Sequence, residues 1–189
     1  TDPAELARRV RIALAPAIVQ QIYGPTRELA VIAIEPGLER LLVQALRALS
    51  VRGRDLLEMQ RWVMFNYLIG NSDAHAKNIS VLIDETGYAL APFYDLLCVQ
   101  VYGDDRLALY IGDEDQYASI GAHSWEAFCE DCGFSVKSTM TLFRKMAQDV
   151  AKAWATVTAQ ATVDFALSRP ELGLIQSITM VIETNCSAA

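Results

Sequence analysis

An apolar segment at residues 55–69, DLLEMQRWVMFNYLI, constrains the fold more than any other part of the sequence. Its spacing is helical, and its apolar side chains nearly encircle the helix, which is typical of a central, buried helix. Gly70 follows directly and favours a left-handed cap that ends the helix there. Glu58 and Arg61 interrupt the apolar run, so the segment is not predicted to span a bilayer.

A dense polar cluster, GNSDAHAKN, follows that helix at residues 70–78. Polar side chains at this density indicate a turn, a metal site or a proton-transfer site. The next two apolar runs, at 79–84 and 88–93, flank a Glu-Thr-Gly turn signal and predict a β-hairpin. The polar cluster should therefore lie between a buried helix and a hairpin.

The remaining elements are predicted from apolar spacing and turn residues. Residues 5–22 are predicted to be helical with a break at Pro16. Residues 38–49 are predicted to form a helix with one apolar face. The run at 28–34 fits a strand or a helix equally well, because it is too short to separate the two. Residues 106–112 suggest another strand, and the acidic stretch GDEDQ at 112–116 a solvated loop.

The second half of the chain is predicted to be helical, with Gly133 and the Arg169–Pro170 pair separating the helices. The three tryptophans are interpreted as core residues: Trp62, Trp125 and Trp154. The predicted fold class is mainly α with a small β-hairpin.

Composition narrows the function classes. The chain has 189 residues, 52% of them hydrophobic and 21% charged, which is typical of one folded domain with its own core. The net charge is −7 and there is no lysine or arginine block, so no direct nucleic-acid binding by this chain is expected. Four cysteines are too few for a disulfide scaffold of this size, and a cytoplasmic location fits them best.

Three oxygen-bearing side chains have a spacing that suits phosphoryl transfer. Asn78 lies five residues after Asp73, and Asp95 lies just beyond the hairpin. Because a hairpin returns the chain near its start, Asp95 is expected to approach Asn78. In kinases one Asp orients the attacking hydroxyl, an Asn five residues later holds magnesium, and a second Asp joins magnesium to the nucleotide phosphates. Magnesium accepts few protein oxygen ligands and keeps some of its water, so this pair suits it.

The stretches FNYLIGNSDAHAKNISVLID and YALAPFYDLL together resemble the catalytic segment of HipA-like serine/threonine kinases, which are toxins of bacterial toxin–antitoxin systems. The resemblance is good over residues 38–150, looser in the C-terminal helices, and hardly extends to residues 1–37. It implies a protein-kinase-like C-terminal helical lobe that uses ATP and magnesium.

The resemblance also assigns roles by position. Asp73 matches the catalytic base of the family, and Asn78 and Asp95 match its magnesium ligands. The positions that match residues lining the ATP phosphates are His75, Ala76, Lys77, Asn78, Tyr94 and Asp95. Conventional protein kinases place a Lys two residues after the catalytic Asp, where this chain has His75, a departure that HipA-like proteins share.

A kinase also needs an N-terminal lobe, with a loop that covers the nucleotide and a Lys that pairs with the phosphates. No Gly-rich loop of that kind and no matching strand Lys precede residue 55. The domain prediction is therefore an N-terminal extension or remnant at 1–37 and the HipA-like C-terminal lobe at 38–189. The isolated chain is expected to have little or no kinase activity.

Three functions remain open from the sequence. In the first, the complete protein is a toxin kinase that phosphorylates a Ser or Thr of a protein substrate, with a HipB-like antitoxin protein as its partner. In the second, the chain is a non-catalytic kinase-like module that docks an antitoxin or another chain. In the third, Asp73, His75 and Asp95 form the site of a metal-dependent hydrolase, although a facial triad needs a second histidine and only His123 exists.

Other polar features have simpler interpretations. Cys129 and Cys132 form a C-x-x-C pair late in a predicted helix and are interpreted as partly buried structural thiols, because no second pair could complete a zinc site. His123 is interpreted as a surface or capping residue. Tyr94 is compatible both with a core aromatic residue whose hydroxyl finds a partner and with a functional role.

Overall fold

The computed structural model describes residues 10–14, 28–34, 53–85 and 87–189. Four strands form one antiparallel sheet in the order β1-β2-β3-β4. Ile12 pairs with Ile32, and Ala30 pairs with Val81. The strands are β1 (Val10–Leu14), β2 (Glu28–Ile34), β3 (Ser80–Asp84) and β4 (Gly87–Leu90).

The N-terminal helix prediction is wrong over residues 10–14, which form strand β1. An apolar run this short has no period of its own that decides between the two states, and the pairing with β2 decides it here. The undecided run at 28–34 is a strand for the same reason. The rest of residues 5–22, and the helix predicted at 38–49, lie outside the described residues.

The central helix is confirmed as α1 (Gly53–Ile69). Met59, Met64 and Leu68 have no exposed surface. From Trp62 to Ile69 no residue of α1 is exposed, so this half of the helix is enclosed by its neighbours as its apolar pattern predicts. The Asp55 carboxylate accepts the Leu90 backbone N–H at 3.3 Å. This bond ties the first turn of α1 to strand β4.

The predicted hairpin is also confirmed, as the antiparallel pair β3–β4, but it is half of the four-stranded sheet rather than a free unit. A second, separate pair consists of β5 (Arg106–Ile111) and β6 (Glu114–Gln116). The solvated loop predicted at 112–116 is therefore wrong over its last three residues. Asp115 pairs there with Arg106 at 2.8 Å, a cross-strand ion pair that favours the strand.

Three helices complete the chain: α2 (Ala122–Cys132), α3 (Val136–Asp164) and α4 (Arg169–Ser187). Gly133 ends α2 with a left-handed φ of 64°, as predicted. The second break lies at residues 165–168, just before the predicted pair, and Pro170 lies in the first turn of α4, where its missing N–H costs nothing.

An aromatic cluster joins α1, α2 and α3. The ring centroids of Trp125 and Phe143 are 4.4 Å apart, and Tyr67 meets Trp125 edge-on at 5.5 Å. Trp62 and Trp125 are each 3% exposed, as their core assignment predicts. The core assignment is wrong for Trp154, which is half-buried outside this cluster, with its indole N–H donated to Thr179 on α4 at 2.9 Å.

The protein is thus mainly α, as predicted, with two small antiparallel sheets. Within the described residues no helix is both long and apolar enough to cross a membrane.

Candidate functional site

The polar cluster forms a compact loop between α1 and β3. Gly70 ends α1 with a φ of 73°, and the Asn71 N–H reaches back to the Asn66 carbonyl at 2.9 Å. A single 3-10 turn, Ala76–Asn78, then leads into β3. The loop is anchored on its other side by β5, because the Ala108 N–H donates to the Ser72 carbonyl at 2.8 Å.

The structure brings Asn78 and Asp95 together. The Asn78 side-chain Nδ2 donates to the Asp95 carboxylate Oδ2 at 3.1 Å. The same Nδ2 lies 3.3 Å from the Asp73 carbonyl oxygen. Residues that are seventeen apart in the sequence therefore meet because the β3–β4 hairpin returns the chain, as the spacing predicts.

Asp73 lies at the rim of this site. Its backbone carbonyl, not its carboxylate, contacts Asn78, and its side chain is 60% exposed. The Nε2 of His75 is 3.9 Å from the Asp73 Oδ1, while the buried Nδ1 of His75 has no hydrogen-bond partner among the residues that the structure describes. A carboxylate this open is available to a group that arrives from solvent.

Tyr94 fastens the segment before Asp95 to the 3-10 turn. Its hydroxyl donates to the Lys77 carbonyl at 2.8 Å and lies 3.1 Å from the Ser80 Oγ. The Tyr94 hydroxyl therefore has a partner, and at 43% exposure the side chain is not part of the core, which was one of the two interpretations. The hydrogen bonds of the Tyr94 hydroxyl, rather than packing of its ring, hold this side chain in place.

The remaining predicted site residues, Ala76 and Lys77, belong to the same turn. Ala76 is buried at 6% exposure and the Lys77 side chain is exposed. All seven predicted residues thus lie on two adjoining segments, 73–78 and 94–95. Their assigned roles in binding and catalysis stay predictions.

Sequence reasoning missed two buried asparagines behind the site. Asn71 Nδ2 donates to the Asn66 Oδ1 at 2.7 Å and to the Asp95 backbone carbonyl at 3.0 Å. Asn66 Nδ2 donates in turn to the Trp62 carbonyl at 2.8 Å. The available signal was a polar residue inside the apolar pattern of α1, since an asparagine that is buried there must find partners.

Helix α4 supports the loop from a distant part of the chain. Asn185 Nδ2 donates to the Tyr67 carbonyl and to the Gln100 Oε1, both at 3.1 Å. The Gln100 backbone N–H donates to the Gly70 carbonyl at 2.9 Å. The end of α1, the loop after Asp95 and α4 therefore form one hydrogen-bonded junction.

The other chemical candidates stay simple. Cys129 and Cys132 are buried cysteines in α2, and burial raises the pKa of Cys129. The His123 side chain is 70% exposed in the first turn of α2. In the described part of the chain, no three His, Cys, Asp or Glu side chains come close enough to hold a metal ion.

The fold and the site together define a kinase-like C-terminal lobe. Residues 32–154 match the model of the HipA-like C-terminal domain, and the chain belongs to that family. The expected family is therefore confirmed.

Two relatives named as kinases support the assignment. Y4mE of Sinorhizobium fredii is 33% identical over 117 residues, which cover 60% of this chain and 28% of the relative. The serine/threonine-protein kinase toxin HipA of Shewanella oneidensis is 35% identical over 102 residues, covering 53% and 24%. The chain spans about a quarter of the length of these curated relatives.

A solved structure of the Shewanella oneidensis HipA, in complex with HipB and its operator DNA, superposes with a TM-score of 0.68 at 25% identity. The match covers 82% of this chain and 36% of that one. A 47-residue match is 51% identical to the flagellar biosynthesis protein FlhA of Proteus mirabilis, but it covers 25% of this chain and only 7% of that relative. That share does not assign the chain to the flagellar protein.

Proposed function

We propose that the chain is the catalytic C-terminal lobe of a HipA-like serine/threonine protein kinase. The complete protein transfers the γ-phosphoryl group of ATP to a hydroxyl of a protein substrate and acts as the toxin of a toxin–antitoxin pair. The observation that carries the proposal is the 3.1 Å contact of Asn78 with Asp95, beside the open carboxylate of Asp73.

Asn78 and Asp95 supply the oxygen ligands for magnesium. The two contacts of Asn78 with its neighbours use Nδ2, so the Oδ1 of the same amide would be the atom that binds the ion. When bound, magnesium neutralises charge on the nucleotide phosphates. The protein's part is to hold one amide and one carboxylate in a fixed relation before the nucleotide arrives.

Asp73 orients the attacking hydroxyl and accepts its proton. Its exposed position leaves the carboxylate accessible to a substrate side chain, while its backbone is fixed through the Asn78 contact. His75, Ala76 and Lys77, at the start of the 3-10 turn, would line the nucleotide phosphates, and the Tyr94 hydroxyl holds that turn through the Lys77 carbonyl. Fixing these groups on a rigid loop lowers the entropic part of the barrier.

A kinase also needs a nucleotide-covering lobe, and in the absence of such a lobe we expect little or no turnover from this chain. A HipB-like antitoxin is the proposed partner of the complete protein, since the similar solved structure is a complex of HipA with HipB and operator DNA.

Reconstitution tests the proposal. The chain is combined with the N-terminal lobe of a HipA relative, and transfer of labelled phosphate to protein is measured. Phosphorylation that Asp73→Ala abolishes supports the enzyme. Normal folding and lobe association without phosphorylation would favour the alternative, a docking module. A matched control is Asp131→Ala, an exposed carboxylate on α2 outside the site, which should leave phosphorylation unchanged.

A further inference from the structure

Asp95 has an unusual backbone. Among the non-glycine residues that the structure describes, it alone has a positive φ, of 58°. The left-handed conformation is uncommon for residues other than glycine, although Asp enters it more readily than most, and contacts with the surroundings select it here. The Asp95 side chain is exposed, so packing around that side chain does not impose it.

A buried side chain, that of Asn71, holds the backbone of Asp95. The Asp95 carbonyl accepts a hydrogen bond from Asn71 Nδ2 at 3.0 Å. Asn71 is 1% exposed, and its second Nδ2 hydrogen goes to the Asn66 Oδ1 at 2.7 Å. Because a side-chain amide has two hydrogens to donate, the donor capacity of Asn71 is fully used.

The hydrogen bonds of Asn71 are anchored in α1 through Asn66. Asn66 is 3% exposed and donates its own Nδ2 to the Trp62 carbonyl, one turn back in α1. This bond leaves the Asn66 Oδ1 facing Asn71 as an acceptor. The hydrogen bonds of Asn66 and Asn71 therefore fix the orientation of both amides, and the chain of bonds ends on the Asp95 carbonyl.

We propose that Asn71 is a positioning residue of the candidate metal site: its buried amide, anchored through Asn66 to α1, holds Asp95 in the left-handed conformation that turns the carboxylate toward Asn78. The inference rests on the proposed magnesium site. Asn71 contacts the Asp95 carbonyl and not its carboxylate, so it is assigned no contact with the ion. Supporting groups of this kind typically change metal affinity by roughly 10-fold to 100-fold.

The test uses the 189-residue chain and Mn²⁺ as a paramagnetic substitute for Mg²⁺. Bound Mn²⁺ is measured by electron paramagnetic resonance, and selective broadening of the Asn78 side-chain amide in NMR spectra locates the ion. The main variant is Asn71→Leu, which keeps the approximate size of the side chain and removes its donors. The matched control is Gln60→Ala, which also removes a buried α1 amide, one that donates to Thr139 at 2.7 Å away from the site. Asp95→Asn removes a ligand.

We expect Mn²⁺ affinity to fall roughly 10-fold or more in Asn71→Leu and to stay at the parent value in Gln60→Ala. Every variant is checked by circular dichroism and measured well below its unfolding midpoint. Parent-like affinity in Asn71→Leu, with loss in Asp95→Asn, overturns the inference and leaves the metal site standing. Equal losses in Asn71→Leu and Gln60→Ala overturn it too, because the effect is then one of general stability. No selective broadening in the parent, or no loss in Asp95→Asn, overturns the metal site and the inference together.

Discussion

Replacing Gly70 by alanine should destabilise the fold through two separable effects. The φ of 73° places the new side chain in the left-handed region, at a cost of about 1–2 kcal/mol. The added Cβ would also lie 2.5 Å from the Val181 Cγ1 and 3.1 Å from the Gln100 Oε1. Overpacking of this kind costs about 1–3 kcal/mol. The sum is a loss of about 2–5 kcal/mol in the free energy of unfolding.

Urea unfolding of the purified chain measures this loss. Gly103→Ala is the matched control, because Gly103 has a φ of 84° and nothing within 4 Å of its ideal Cβ. It should show the backbone cost alone, about 1–2 kcal/mol. The double variant Gly70→Ala/Val181→Ala should be less destabilised than the sum of its single variants, since Val181→Ala removes the atom that the new Cβ meets.

The reasoning is refuted if Gly70→Ala costs no more than Gly103→Ala. It is also refuted if the two substitutions at Gly70 and Val181 are simply additive, because the close approach of α4 to the loop would then carry no energy.

Three further outcomes follow from the described contacts. Phe143→Ala should lower the free energy of unfolding by about 3–5 kcal/mol in the same urea assay, because the ring is fully buried against Trp125. Hydrogen bonds from the Ser168 hydroxyl and N–H lower the pKa of Glu171, so their contribution is present above the unfolded-state pKa and is lost as the pH falls through the lowered value. The stability difference between the parent and Glu171→Gln should therefore shrink on acidification, and a constant difference in urea titrations would contradict this cap. Burial raises the pKa of both Cys98 and Cys129, but Cys129 has no exposed surface while Cys98 is partly exposed. Mass spectrometry of the alkylated native protein should therefore find Cys98 modified before Cys129.

Much of the helical part of the fold could be predicted because its signals are local. The all-round apolar pattern of α1 and the glycine at its end depend on neighbouring residues only, and the structure agrees with both. The same holds for the turn between β3 and β4 and for the glycine after α2.

The secondary-structure predictions are wrong where pairing with another strand determines the conformation. Residues 10–14 are a strand because β2 lies beside them, and residues 114–116 are a strand because Arg106 lies opposite. The meeting of Asn78 and Asp95 could be predicted, because a hairpin has a known return path. The support from Asn71 could not, because its partner is a backbone carbonyl 24 residues away, and every residue type has that group.

The bond from Asn185 to the Tyr67 carbonyl, across 118 residues, has a consequence for biosynthesis. During translation α1 emerges from the ribosome long before α4. The Tyr67 carbonyl at the end of α1 therefore gains its bond from Asn185 only after almost all of the described chain has been made. Contacts between residues so far apart also form late in folding, because the entropy of closing the intervening chain must be overcome first. The junction of α1, the loop after Asp95 and α4 therefore forms only after α4 has been synthesised.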